Sequence, residues 1–184
     1  MKKSKFFLSS AVACTLMYAC QKDSFLSQTQ STDLNEKVVF ADSAYTINFL
    51  SGIYEDIGFS TAPKRFGGGG LDACTDEAEG AASGSVNTFI QFATGTVNAD
   101  IITDDAWKIS YTNIRRANIF LRNLPNAKFA ENIKVRARAE ARFLRAYYYF
   151  MLLEHYGGVP LVGDKVYGIN DVLPSTRNTY QECV

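Results

Sequence analysis

The stretch that decides the fold is residues 132–162, NIKVRARAEARFLRAYYYFMLLEHYGGVPLV. Asn132 stands where a helix cap belongs. Gly157 and Gly158 supply a left-handed stop, and Pro160 follows where a helix cannot continue. The spacing predicts a helix of roughly 24 residues, about 36 Å long. Its first apolar stripe is Val135, Ala139, Phe143, Ala146, Phe150 and Leu153, at the period of a core-facing side. A second stripe is Ala137, Ala141, Leu144, Tyr148 and Leu152. Arg138, Arg142, Arg145 and the Tyr149 ring take what remains, so the pattern predicts only a narrow wetted strip. A helix apolar on two sides packs between neighbours. Its alanines permit close approach, and Ala139 and Phe143 stand in the A-x3-F relation of tetratricopeptide helices.

Working outward, a second patterned block precedes this one: Trp107-x3-Tyr111-x2-Ile114-x2-Ala117-Asn118. Together with AEARFLRAYYYFMLLEHYGGVPLV it resembles the SusD/RagB family of outer-membrane nutrient-uptake lipoproteins, in order and spacing. The matching positions are Trp107, Tyr111, Asn118, Glu140, Phe143, Arg145, Gly157, Gly158 and Pro160. The resemblance implies an all-α fold of irregular tetratricopeptide-like helix pairs with long loops. It also implies a non-catalytic lipoprotein of the outer membrane, lipid-anchored and facing outward. Such a protein binds glycan, or another oligomeric nutrient such as peptide, and delivers it to a SusC-type TonB-dependent transporter, with no cofactor. Family members are several times longer, so the chain reads as an N-terminal portion. As such it is expected to leave an apolar face open for a following helix pair and to bind no glycan tightly by itself.

Composition agrees with a folded domain: 47% of the 184 residues are hydrophobic, and 19 basic residues balance 19 acidic ones. With Lys2, Lys3 and Lys5 removed in a leader, sixteen basic residues face nineteen acidic ones, a net charge of −3. No basic field invites nucleic acid. The leader itself is residues 1–19, with its lysines, an apolar run over 6–19 and a small residue before Cys20. That run is too short to cross about 30 Å of hydrocarbon. Ala19-Cys20 resembles a lipobox, so Cys20 is the expected site of diacylglycerol attachment and acylation; the alternatives are ordinary cleavage or a buried cysteine. Multiple acyl chains would make the anchor stable. Residues 20–37 read as a polar tether, in which Lys22-Asp23 resembles a surface-export signal, and residues 38–184 as the helical domain.

A first helix is expected over residues 42–57, capped by Asp42, with Ile47, Leu50, Tyr54 and Ile57 inward and Gly58 as its stop. Residues 58–100 turn irregular, and the glycine run 67–70 reads as loop, without the lysine or strand-helix setting of a phosphate cradle. Asp72, Asp76, Glu77 and Glu79 follow. They lack the alternating pattern of a calcium loop; a glycosidase pair and a solvated helix start are the other readings. The resemblance adds Asp72 and Asp76 as ligand candidates. Phe89 lies in an expected extended segment, 86–92, and is either a sugar-stacking ring or core. Thr103 opens a second helix that ends before Pro125. One stripe of it carries Trp107, Tyr111, Ile114, Asn118 and Leu121, the other Ile109, Ala117, Phe120 and Leu124. The stripe places Trp107 in the core, and Asn118 is expected to tie the helix to neighbouring backbone. Residues 159–162 read as extended and 163–179 as loop.

The single histidine, His155, ends an apolar helix, where it favours the dipole. Cys20, Cys74 and Cys183 show no metal-binding spacing, and whether Cys74 pairs with Cys183 stays open. No nucleophile elbow or triad is visible. Three functions therefore stand: a non-catalytic nutrient-binding lipoprotein, a tetratricopeptide-like protein–protein scaffold, and a glycosidase using the 72–79 carboxylates.

Overall fold

The structure is a computed structural model that describes residues 35–61, 65–78, 89–98, 100 and 106–184. The leader, Cys20 and the expected tether up to residue 34 lie outside the described residues, as do Glu79 and Thr103. Glu36–Val184 forms one compact unit. Its helices are α1 (Glu36–Ala41), α2 (Ser43–Tyr54), a helical turn α3 (Arg65–Gly68), α4 (Ile90–Thr94), α5 (Ala106–Asn123), α6 (Glu131–Tyr156) and a short α7 (Tyr180–Cys183). No strand element occurs among the described residues, and the architecture is all-α.

The centre is the α5–α6 hairpin, closed by the 3-10 turn Leu124–Asn126 with Pro125 just inside it. The two helices run antiparallel: Tyr156 at the end of α6 lies edge-on to Trp107 at the start of α5, with ring centroids 5.3 Å apart. From α5 the core receives Ile114, Ala117 and Phe120. From α6 it receives Ala137, Ala141, Leu144, Tyr148, Met151 and Leu152, all buried. Small residues on both helices let the backbones approach closely.

The buried side of α6 is the second of its two apolar stripes. The first lies outside: Phe143 is 65% exposed, Phe150 59% and Val135 57%. The expectation that both sides pack is therefore corrected: α2 and α5 cover the Leu144–Tyr148 side, whereas on the other Val135, Phe143 and Phe150 stay exposed and only the short α7 approaches, near Leu153. The helix also starts two residues earlier than expected, at Glu131. Its cap position is Ala130, which offers no side-chain acceptor, and Asn132 is a helical, exposed residue.

Asp42 caps α2 as expected, its carboxylate accepting from the amides of Ala44 and Tyr45 at 2.8 and 3.0 Å. The inward side of α2 is rotated from the expectation: Thr46, Leu50 and Ile53 are buried, while Ile47 and Tyr54 are exposed. Thr46 can turn inward because its hydroxyl donates to the carbonyls of Asp42, at 2.7 Å, and Val39, at 3.0 Å. A buried hydroxyl with a backbone partner loses little by leaving water. The helix α2 ends at Tyr54 rather than Ile57. It docks on the hairpin through hydrogen bonds as well as apolar contact: Tyr148 donates to the Ile53 carbonyl, Tyr147 to the Ile57 carbonyl at 2.7 Å, and Asn113 to the Asp56 carboxylate at 2.7 Å.

The helix α1 was not expected; Glu36 and Lys37 belong to it rather than to a tether. Phe40 anchors it against Phe49 and Phe120, and Glu36 receives hydrogen bonds from Arg122 at 2.6 Å and Asn123 at 3.0 Å. Partial burial pushes the Glu36 carboxyl up, and those bonds outweigh it and hold the group below its usual range.

A satellite cluster joins Phe66, Ala73 and Phe89. The glycine run read as loop instead opens in the helical turn α3. Within it Phe66 holds φ +52°, a conformation that costs an L residue about 1–2 kcal/mol. Burial of its ring against Phe92, with centroids 5.3 Å apart, offsets that cost. Residues 90–92, the end of the segment expected to be extended, lie in the helix α4.

Candidate functional site

The GGVPLV segment after α6 carries no strand pairing; it is a strap held from three sides. Gly157 ends the helix at φ +70°. Gly158 is required for a different reason: a Cβ there would lie 2.1 Å from the Asn178 carbonyl oxygen. From α5, the Tyr111 hydroxyl donates to the Pro160 carbonyl at 2.7 Å; from α6, the Tyr149 hydroxyl accepts the Val162 amide at 3.0 Å. The loop returning from residue 174 closes the third side. Asn178 accepts the Leu161 amide and donates its own amide to Val159, while Arg177 donates to the Gly158 carbonyl at 2.6 Å and to the Tyr156 carbonyl. Burial pushes the Tyr111 and Tyr149 hydroxyls above the usual phenol range, so both remain protonated at neutral pH.

Asn118 is the node beneath this strap. It is buried, its amide nitrogen donates to the carbonyls of Gly163 at 2.9 Å and Lys165 at 3.2 Å, and its oxygen accepts from Arg145 at 2.7 Å. A buried amide with three partners is satisfied, and it ties helix to loop backbone as its place on an apolar line suggested. Arg145 also pairs with Asp164.

Two clefts flank the node. Between α5 and residues 160–174 lies an aromatic cleft of about 380 Å³, walled by Trp107, Tyr111, Tyr167, Leu173 and Pro174 with Arg115 and Lys165 at its polar edge. The Trp107 and Tyr111 rings sit 5.0 Å apart, and Lys165 lies 4.6 Å over the Tyr167 ring and 3.4 Å from Asp171. Arg115 donates to the Tyr167 carbonyl, and Asp171 accepts the Gly168 amide at 2.9 Å, so the loop is fixed over the helix. Flat aromatic walls beside a few donors suit a small, partly polar ring. Trp107 is half core, as expected, and half cleft wall. On the other side of the node is a wider cationic groove of about 560 Å³, bordered by Arg122, Arg138, Arg142 and Arg145.

The candidates from sequence fall elsewhere. Asp72 and Asp76 are exposed, with Asp72 opening the 3-10 turn Asp72–Cys74. Phe89 is buried in the satellite cluster, which corrects its reading as a stacking ring: it has no free face to offer. Glu140 pairs with Arg136 at 2.7 Å, one turn away on α6. His155 lies with Nδ1 2.8 Å from the Met151 carbonyl. Cys74 and Cys183 are separate thiols, not a disulfide. Among the described residues no group of three metal-ligating side chains converges, and no helix is long and apolar enough to cross a membrane. Sequence reading missed Tyr167, Lys165, Arg177 and Asn178. The available signal was an aromatic and several hydrogen-bonding residues in a loop directly after a strict helix stop.

Comparison with known proteins places this geometry. The family model for SusD-like proteins, described as starch-binding and associating with the outer membrane, matches residues 72–184. A SusD-like protein from Bacteroides fragilis superposes with a TM-score of 0.57 at 25% identity, over 79% of this chain and 27% of its own. A laminarin-binding SusD-like protein superposes at 0.62 with 26% identity, over 78% of this chain and 32% of its own. The chain thus spans about a third or less of these solved relatives. No curated protein matches the sequence significantly. With the helix pair, the strap and the family match in agreement, the chain belongs to the SusD-like family.

Proposed function

We propose that the protein is a non-catalytic, surface-facing outer-membrane lipoprotein that binds glycan and hands it to a SusC-type TonB-dependent transporter. In this reading residues 1–19 are removed, Cys20 carries the acyl chains, and residues from 21 to the start of α1 are the tether. The observation that carries it is the family match over residues 72–184, whose description joins starch binding to the outer membrane. The aromatic cleft supports it, because rigid rings beside hydrogen-bonding groups are what sugar recognition uses. The exposed, unassembled carboxylates at Asp72, Asp76 and Glu77 give a glycosidase reading no comparable support.

The experiment pairs metabolic labelling by an azido fatty acid with protease treatment of intact cells, for the wild type and Cys20→Ala. Wild-type labelling that disappears in the variant, with protease-sensitive protein on whole cells, is the expected result. Equal labelling of both, or a protein shielded from protease, refutes the anchor or its outward orientation. Retention of the wild type, without turnover, by immobilised glucans would support the binding role. Release of reducing ends would refute it.

A further inference from the structure

We propose that the groove bordered by Arg122, Arg138, Arg142 and Arg145 is a binding site for acidic polysaccharide, a sugar chain bearing carboxylate or sulfate groups. The proposal rests on the glycan-binding reading and assigns it a charge class. None of the residues lining it is among the ligand candidates read from the sequence, Asp72, Asp76 and Phe89.

The first observation is how this chain spends its arginines. Apart from Arg138 and Arg142, each described guanidinium holds a carboxylate, an amide oxygen, a backbone carbonyl or an aromatic face. Arg138 and Arg142 are exposed and pair with no described residue. They stand four residues apart on α6, where like charges weaken a helix. An anion laid between them would reverse that cost, and the planar fork of arginine fits carboxylate and sulfate oxygens in pairs.

The second observation is the groove's balance. Its carboxylates are already committed: Asp164 to Arg145, and Glu36 to Arg122 across its edge. Four cations therefore face two anions, in a protein whose sequence from Cys20 onward is acidic overall. The positive field is local to this groove rather than a share of a basic surface.

Geometry supplies the third. Arg138, Arg142 and Arg145 rise along the helix by about 6 Å and then about 4.5 Å. That is close to the length of one sugar residue in an extended polysaccharide, so successive charged sugars meet successive guanidiniums. Leu121 and the buried Asn118 give the groove a fixed floor on α5. An acidic peptide has the same charge but lacks flat sugar faces for the aromatic cleft beyond the node.

The test is affinity gel electrophoresis of the purified full chain in polygalacturonate, dextran sulfate, laminarin and polyglutamate. Wild type is compared with the doubly substituted R138Q/R142Q and R138K/R142K, each checked for native circular dichroism. The wild type should be retarded by an acidic glycan, with the tighter of the two naming the anion. Retardation should fade between about 0.05 and about 0.5 M salt. R138Q/R142Q should weaken that binding about tenfold, with R138K/R142K intermediate. Unchanged retardation of R138Q/R142Q, or retardation by polyglutamate as strong as by either acidic glycan, overturns the proposal. Laminarin binding without acidic-glycan binding overturns it and leaves the glycan reading standing; if no glycan retards the protein, both fall.

Discussion

Adjacent residues on α6 give the sharpest test of the packing. Leu144 is fully buried against α5, while its neighbour Phe143 is 65% exposed. Truncation of Leu144 to alanine removes buried methyl groups and leaves a cavity, which costs about 2–5 kcal/mol. In a domain of this size that lowers the thermal midpoint by about 5–15 °C. Phe143→Ala removes a larger side chain but little buried area, and alanine is the better helix former, so its effect should stay within about 0.5 kcal/mol. Both substitutions lie mid-helix, so the difference between them isolates burial from helix propensity. Thermal unfolding followed by circular dichroism at 222 nm, with urea midpoints as a second measure, reads the contrast directly. Equal losses for the two variants would refute the reasoning, because they would mean that the Phe143 side is covered as well as the Leu144 side.

Two further outcomes follow from the same geometry. Burial raises the Tyr148 hydroxyl well above its ordinary value near 10, since its ionised form cannot remain under α2. The folded state therefore holds that proton more tightly than the unfolded chain, and its contribution, complete below pH about 10, is lost as pH rises beyond it. Urea titrations should show Tyr148→Phe less stable by about 0.5–1.5 kcal/mol at pH 7, from the lost hydrogen bond to Ile53, but with a shallower alkaline decline; parallel declines would contradict this. Gly158→Ala should detach the 174–184 return, because a methyl group 2.1 Å from the Asn178 carbonyl forces the backbone apart. Faster proteolysis after Arg177 with little change in the core is expected, and wild-type resistance would contradict the contact.

What could be read from sequence and what could not divides by physical cause. Asp42, Pro125 and Gly157 announced element ends because each imposes a local backbone constraint that no distant contact revises. Which side of α6 faces inward was not decidable from α6 alone. Both stripes have the right period, and the choice belongs to the helices that pack against it. The error on α2 has another origin. Thr46 was passed over as polar, yet two carbonyls within 3.0 Å make it a core residue, while the more apolar Ile47 faces water. The site suffered most. Phe89 sits in a glycine-rich stretch where ring exposure depends on long-range packing. The aromatic cleft, by contrast, is assembled from α5 and a loop roughly fifty residues later, as the Tyr111–Pro160 bond shows. The asparagine on the apolar line was the trace of it that the sequence reading used, since a buried amide demands partners from elsewhere.

That asparagine also explains why the aromatic cleft and the cationic groove can act as one surface. Asn118 donates to the loop that roofs the aromatic cleft and accepts from Arg145, which borders the cationic groove and reaches Asp164. The position of Arg145 is thus set by a buried group rather than by solvent. It differs in this from Arg138 and Arg142, whose side chains await a partner. Besides Arg122, which Glu36 holds, an anion reaching the groove meets one fixed guanidinium and two adaptable ones. The fixed one sets register at little entropic cost, and the two exposed ones close on the ligand at the cost of their rotamer freedom. The hairpin supplies rigidity, the strap carries it to the loop, and recognition is left to side chains on either side of a single satisfied amide.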